Sequence, residues 1–229
     1  MTNVRIRKAG NADSSGGLKF RRNLNIDWSI ETELTSDTIV GNEGALVQAI
    51  TFGDPYSSDA RGPISIADVQ FQYFKLLKNV NLESSSGLAH KVVDGPFFKL
   101  RESNFTPAVN SLASLGAWVN NLPSSSHLNM TIGELVPDGV YQVRCIFVDG
   151  KNKVSPKLFL GTEGYEINYN RQKGCVVAGI FTANDRSITI RIASKTIEPP
   201  HINAVVLRRI GYNPRTTASL LRTISDLKS

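Results

Sequence analysis

The chain has 229 residues, 41% hydrophobic and 20% charged, with 26 Lys+Arg against 20 Asp+Glu and a formal net charge of +6. That composition is globular, and the length suits one large β domain or two small ones, with enough chain to bury a core without disulfides or metal. Two cysteines make no disulfide scaffold or metal spacing, no apolar run nears the roughly 18 residues of a membrane span, and the polar, basic start lacks a signal-peptide core, so a non-exported chain without a membrane partner is expected.

Residues 1–25 form the first segment. Arg5, Arg7, Lys8, Lys19, Arg21 and Arg22 stand against one acid, Asp13, a charge of +5. The stretch NADSSGGLKF is too polar to bury a core and reads as a flexible arm. Basic ends are solvated tails, protein-binding arms or nucleic-acid arms. Nucleic acid is the weaker of the two partner readings, because such arms are usually denser in Arg and Lys.

Ordered structure is expected from about Leu24–Trp28, where Leu24, Ile26, Trp28 and Ile30 alternate with strand period. Ala45–Gly53 reads as a strand ending in the turn signal GDPYSSDARGP. In Ile64–Phe74 the apolar face switches between Ile66 and Val69, the pattern of a bulge. HKVV, the turn DGP and FFKL read as a hairpin. Thr106 before Pro107 is a helix start, and Val109, Leu112, Leu115 and Trp118/Val119 follow at helical spacing, with Gly116 against it.

From residue 127 the strand signals are clearest. Tyr141, Val143, Cys145 and Phe147 share one face of VYQVRCIFV, and Gln142, Arg144 and Ile146 share the other. KLFL, YEINY, CVVAGIF, SITIRI and INAVVLRRI follow at about ten-residue spacing, as in a β-sandwich or barrel. Residues 208–229 carry five basic groups against Asp226, a charge of +4, which leaves −3 on the body between the two ends. Leu220, Leu221, Ile224 and Leu227 form an apolar stripe at helical period, to be packed on the chain's own sandwich or on a neighbouring subunit.

Four segments carry a resemblance: GNEGALVQAITFG (41–53), LNMTIGELVPDGVYQVRCIFVD (128–149), VVAGIFTAND (176–185) and INAVVLR (202–208). Together they resemble the galactose-binding-like jelly-roll domains of secreted bacterial proteins, including those with PEP-CTERM sorting tails, over about residues 36–210. The resemblance implies an antiparallel jelly-roll β-sandwich, with Tyr141, Phe181 and Leu207 in the core, Gly179 at a close approach or bulge, and Ala204 on a crowded face. Ala67-Asp68 stands where the family usually has an Asn-Gly hairpin. The export signal and sorting tail of the family also have no counterpart in this sequence.

The expected fold is therefore all-β: a basic arm over 1–25, a jelly-roll sandwich over 26–210 and a C-terminal amphipathic helical segment over 211–229. No nucleophile elbow, phosphate loop, HExxH or CxxC occurs. Asp54, Asp59, Asp68 and Asp94 read as turn formers, so neither an enzyme nor a cofactor or metal is expected. Cys145 and Cys175 read as small buried hydrophobes. Asp54 with Tyr56 and Tyr165 with Tyr169 are candidate glycan contacts, pairing an aromatic platform with a carboxylate; the alternative is that the rings cover sheet edges.

Three functions follow as expectations. The first is a virion subunit, such as a head decoration, fibre or tail component, made in a host cytoplasm. It would attach to other subunits, its own copies included, through Arg5, Arg7, Lys8, Lys19, Arg21, Arg22, Leu220, Leu221, Ile224 and Leu227. The second is a glycan-binding module, and the third a nucleic-acid-packaging coat protein.

Overall fold

The structure, a computed structural model, describes residues 26–212 except 54, 57–62, 86–90, 94–104, 120–125, 149–156, 162–163, 171–172 and 196–198. In chain order the elements are β1 (Asp27–Glu31), α1 (Ser36–Val40), β2 (Ala45–Thr51), β3 (Ile64–Ile66), β4 (Val69–Tyr73), β5 (Val80–Ser84) and β6 (Lys91–Val93). Then come α2 (Pro107–Ala113), β7 (Gly116–Trp118), β8 (His127–Ile132), β9 (Gly139–Phe147), β10 (Lys157–Leu160) and β11 (Tyr165–Asn168). The last are β12 (Cys175–Thr182), β13 (Ile188–Ser194), β14 (His201–Ile202) and β15 (Ala204–Tyr212).

The protein is an all-β sandwich. A seven-stranded sheet runs β1-β12-β9-β15-β2-β4-β3, a five-stranded sheet runs β11-β10-β13-β8-β5, and a small sheet runs β14-β7-β6. From β8 to β13 the chain passes back and forth between the two large sheets. Pairing is antiparallel except between β2 and β4. Ile50, Phe52, Leu128, Met130, Tyr141, Phe147, Ile190 and Leu207 belong to the core between the large sheets. A second core lies on the other face of the seven-stranded sheet, where residues of α1 and α2 pack with Ile146, Val176, Ala204 and Val206 and with the same-face residues of β3 and β4.

That double covering explains two kinds of sequence pattern. β13 is covered on one side only: Ile188, Ile190 and Ile192 are buried while Thr189 and Arg191 are exposed. β12 and β15 lie inside the seven-stranded sheet and read as continuous apolar runs, because both faces are buried. The expected faces of β9 are both observed, with Tyr141, Val143, Cys145 and Phe147 between the sheets and Ile146 under the helices. Ile26, Trp28 and Ile30 pack together against the inner core.

Several expectations need correction. The helix begins at the Thr106 cap, whose hydroxyl accepts from Val109 N, but it stops at Ala113. Gly116 then opens β7, where a Cβ would lie 3.2 Å from Ile202 O, so tight pairing with β14 overrides the helical spacing. The recorded partner of β6 is β7, and FFKL lies outside the described residues. The short helix α1 was not expected; its signal is the Thr35 capping box, closed reciprocally with Thr38. β15 runs past residue 210 to Tyr212. The arm over 1–25 and the helical segment beyond 212 lie outside the described residues.

The face switch after Ile66 is a hairpin, not a bulge. Ile66 pairs with Val69 around a two-residue turn in which Ala67 and Asp68 have φ of 46° and 62°. Two positive φ values define the type I′ turn that favours Asn-Gly, and each non-glycine there costs roughly 1 kcal/mol. Ala67→Asn with Asp68→Gly is therefore expected to raise stability by about 1 kcal/mol, or about 2–4 °C in Tm. A lower Tm would contradict the turn geometry.

Cys145 and Cys175 are free and buried. They sit diagonally on β9 and β12, where Cys145 faces Val177 and Cys175 faces Phe147. Burial pushes the Cys145 thiol up to about 12 from 9.0. Burial also raises the Cys175 thiol, with the neighbouring Cys145 adding to the shift. Unfolded thiols ionise first, so this contribution to stability is complete below pH 9 and falls as pH rises from 9.0 toward about 12. A Tm that declines over that window, with no reaction of the native thiols with Ellman's reagent at pH 8, is the expected result; rapid native labelling would contradict it.

Candidate functional site

The strand registers place the two ends of the described chain together. Asp27, Ile180, Gln142, Arg208 and Leu46 form one row across β1, β12, β9, β15 and β2. β1 enters at that end of the sheet, and β15 leaves at the same end, where Tyr212 pairs with Gly139. Residues 1–25, with charge +5, and residues 213–229, with Arg215, Arg222 and Lys228 against Asp226, are thus joined covalently to one end of the sandwich.

This end also exposes apolar side chains. Leu46 is 43% exposed, Val136 40%, Ile180 42% and Tyr212 54%, all in or beside the terminal rows. Two irregularities shape it. Leu207 pairs with Gln48 and Arg208 with Leu46, so Val47 is an extra residue in β2. Arg209 pairs with Tyr141 and Gly211 with Val140, so Ile210 is an extra residue in β15. Bulges of this kind bend a strand and re-aim its side chains at a sheet's rim. Arg209 lies over the Tyr212 ring at 5.3 Å, and its Nη1 donates to the Tyr212 hydroxyl at 3.1 Å. Aromatic, Arg and aliphatic groups together are the composition of interface cores.

The other arginines of this region have internal work. Arg208 Nε donates to Val40 O at 2.8 Å and its Nη1 to Gly44 O at 3.0 Å. Arg144 Nη1 donates to Thr38 O at 2.6 Å and to Glu31 Oε1 at 2.9 Å, and its Nε donates to Gln142 Oε1 at 3.0 Å. Both guanidinium groups satisfy carbonyls at the end of α1, where cations are favoured. They hold the β1–α1–β2 crossover against the sheet.

Of the expected glycan contacts, the rings of Tyr165 and Tyr169 are held by different partners. Asp54 lies outside the described residues, and Tyr56 is 75% exposed in a turn beyond β2. Tyr165 stacks on Trp28 with ring centroids 6.4 Å apart, covering the inner core at the sheet edges. Tyr169 is a correction. It is buried, next to Phe147, with its hydroxyl 2.6 Å from His201 Nε2. His201 Nδ1 lies 3.2 Å from the Pro199 carbonyl, which only accepts. In the neutral imidazole this contact places the proton on Nδ1, and Nε2 then accepts from the tyrosine. The Tyr169 ring is core, out of reach of a glycan. The ten expected subunit-contact residues lie outside the described residues.

Val136, Ile180, Arg209 and Tyr212 were missed from sequence. Each looks ordinary along the chain, and only the register brings them together. Among the described residues no group of three or more His, Cys, Asp or Glu is arranged to hold a metal ion, and no helix is long and apolar enough to cross a membrane. No family model and no curated protein matches the chain.

Proposed function

We propose that the chain is a non-enzymatic structural and interaction subunit that joins its neighbours, copies of itself among them, through the end of the sandwich where both basic segments attach. The carrying observation is the shared end: two basic segments, joined beside exposed Leu46, Val136, Ile180 and Tyr212. Apolar contacts at such an end supply affinity, and the basic segments supply steering toward acidic surfaces, the body's own charge of −3 included. A particle built of repeated subunits, as in a virion decoration, fibre or tail, is the assembly this reading favours.

The test is a full-length variant carrying Ile180→Asp and Tyr212→Ala, compared with the wild-type chain by concentration-dependent light scattering. Both side chains are about half exposed, so the Tm is expected to hold within a few degrees. Self-association is expected to weaken at least tenfold. Unchanged association with an unchanged Tm would overturn the reading.

A further inference from the structure

The seven-stranded sheet is wider than the five-stranded sheet packed on it. Trp28 of β1 meets Tyr165 of β11 at one margin, and Gln48 of β2 meets Asn79, just before β5, at the other. Beyond that second margin β4 and β3 continue the wider sheet, and an open groove of about 370 Å³ lies along β2 and β4. Leu46, Val47 and Leu77 form its apolar wall. Val47, the extra residue of the β2 bulge, is 42% exposed, and Leu77 rests on the inner core.

Gln48 and Asn79, beside that wall, satisfy each other. Their amides exchange two hydrogen bonds of 3.3 Å, and Asn79 Nδ2 also donates to Glu134 Oε2 at 3.2 Å. What remains is an aliphatic surface next to one carboxylate, with no Lys or Arg in the lining. A fitting occupant is apolar on one side and carries a cation there. β15 ends at Tyr212, and Arg208, four residues earlier, pairs with Leu46. The chain therefore leaves the described fold roughly 10–13 Å from the groove. Residues 213–229 follow, outside the described residues. In their sequence Leu220, Leu221, Ile224 and Leu227 fall on one side at helical period, a stripe roughly 10 Å long. At the same spacing Lys228 falls on the side of the stripe, and Arg222 and Asp226 fall opposite.

We infer that this groove receives the C-terminal segment of a second copy of the chain, with the 220–227 stripe against Leu46, Val47 and Leu77 and Lys228 toward Glu134. The inference rests on the self-association reading above and names its contact. Direction selects the second copy over the chain's own body. β15 carries the chain outward past Ala45, the first residue of β2, which pairs with Arg209. Pro214 disfavours a helical turn at Asn213, so the segment is directed onward, away from its own groove and toward a copy facing this end. The segment leaves and the groove opens at the same end of the sheet, where Leu46 sits in the terminal row. The exchange is therefore reciprocal: each copy gives its segment and receives the other's. Such a contact closes on a two-fold axis as a dimer and does not propagate. The dimer is then the unit from which any larger assembly is built.

The experiment is crosslinking of the full chain carrying Val47→Cys and Ile224→Cys, oxidised with diamide; the native Cys145 and Cys175 are buried. The expected product on a non-reducing gel is a covalent dimer that requires both new cysteines and that reduction returns to monomer. A crosslink within one chain overturns the inference in favour of a segment folded on its own body, and no crosslink overturns it outright. Val47→Asp and, separately, Leu221→Asp with Ile224→Asp should each weaken dimerisation at least tenfold by sizing with light scattering. Val47 is half exposed, so the Tm of its variant is expected to hold. Mixing the two variants pairs one intact segment with one intact groove and should give a heterodimer; no heterodimer counts against the exchange. Unchanged association in both variants, with the wild-type chain still associating, overturns this contact and leaves the assembly reading standing. A wild-type chain that is monomeric at every concentration overturns both.

Discussion

Asn203→Leu is expected to lower the free energy of unfolding by about 3–5 kcal/mol. Asn203 is buried between β14 and β15. Its Oδ1 accepts from Val148 N at 2.7 Å, and its Nδ2 donates to Leu115 O at 2.7 Å and Ala113 O at 3.2 Å. Its backbone N–H donates to Ile146 O, and its carbonyl accepts from Phe52 N. The side-chain amide thus joins the end of β9 to the end of α2, and the residue's backbone carbonyl adds the end of β2. Leucine has the same branched heavy-atom skeleton but no hydrogen-bonding atoms, so most of the loss comes from orphaned buried backbone groups at roughly 1–3 kcal/mol each. Asn203→Asp keeps the acceptor and removes both donors, and belongs with the severe cases. Urea denaturation gives the number, and a loss under about 1 kcal/mol would contradict the hub.

Gly179→Val is expected to cost about 2–3 kcal/mol by overpacking and to loosen β1 before the rest of the sheet. Gly179 pairs directly with Trp28. A Cβ built there lies 2.6 Å from the Trp28 ring and from Ile26 Cγ2. Among the described residues β1 is an edge strand paired only with β12, so it yields more readily than the interior strands. The expected signature is a Trp28 emission shift in a Trp118→Phe background, at denaturant concentrations below the main transition. Because β1 carries residues 1–25, self-association should weaken with it. A wild-type emission profile would show that the ring has room to move.

The fold was legible wherever one face of a strand meets water. The alternation in SITIRI and in VYQVRCIFV specified faces and core residues, and of the two readings of Gly179, a close approach or a bulge, the structure shows the close approach. Legibility failed where tertiary contacts decide the outcome. The spacing of Leu115 and Trp118 suits a helix, but pairing with β14 takes Gly116–Trp118 into a sheet. α1 has five residues, too few for a period. Tyr169 looked loop-proximal because its burial depends on His201, 32 positions away. The shared end arises from register across strands far apart in sequence, and a single chain read from one end to the other carries no such signal. Asn203 sat within the INAVVLR segment, yet its role became visible only with its three backbone partners in place.

Light scattering of the full chain on a sizing column, at low and high salt with absorbance at 260 and 280 nm, tests the shared-end proposal most directly. The expected result is a discrete oligomer or particle free of nucleic acid, which loosens at high salt as screening weakens the basic segments' attraction. A monomer at both salts would contradict it. A nucleic-acid-laden species whose affinity falls steeply with salt would contradict it in favour of a packaging role.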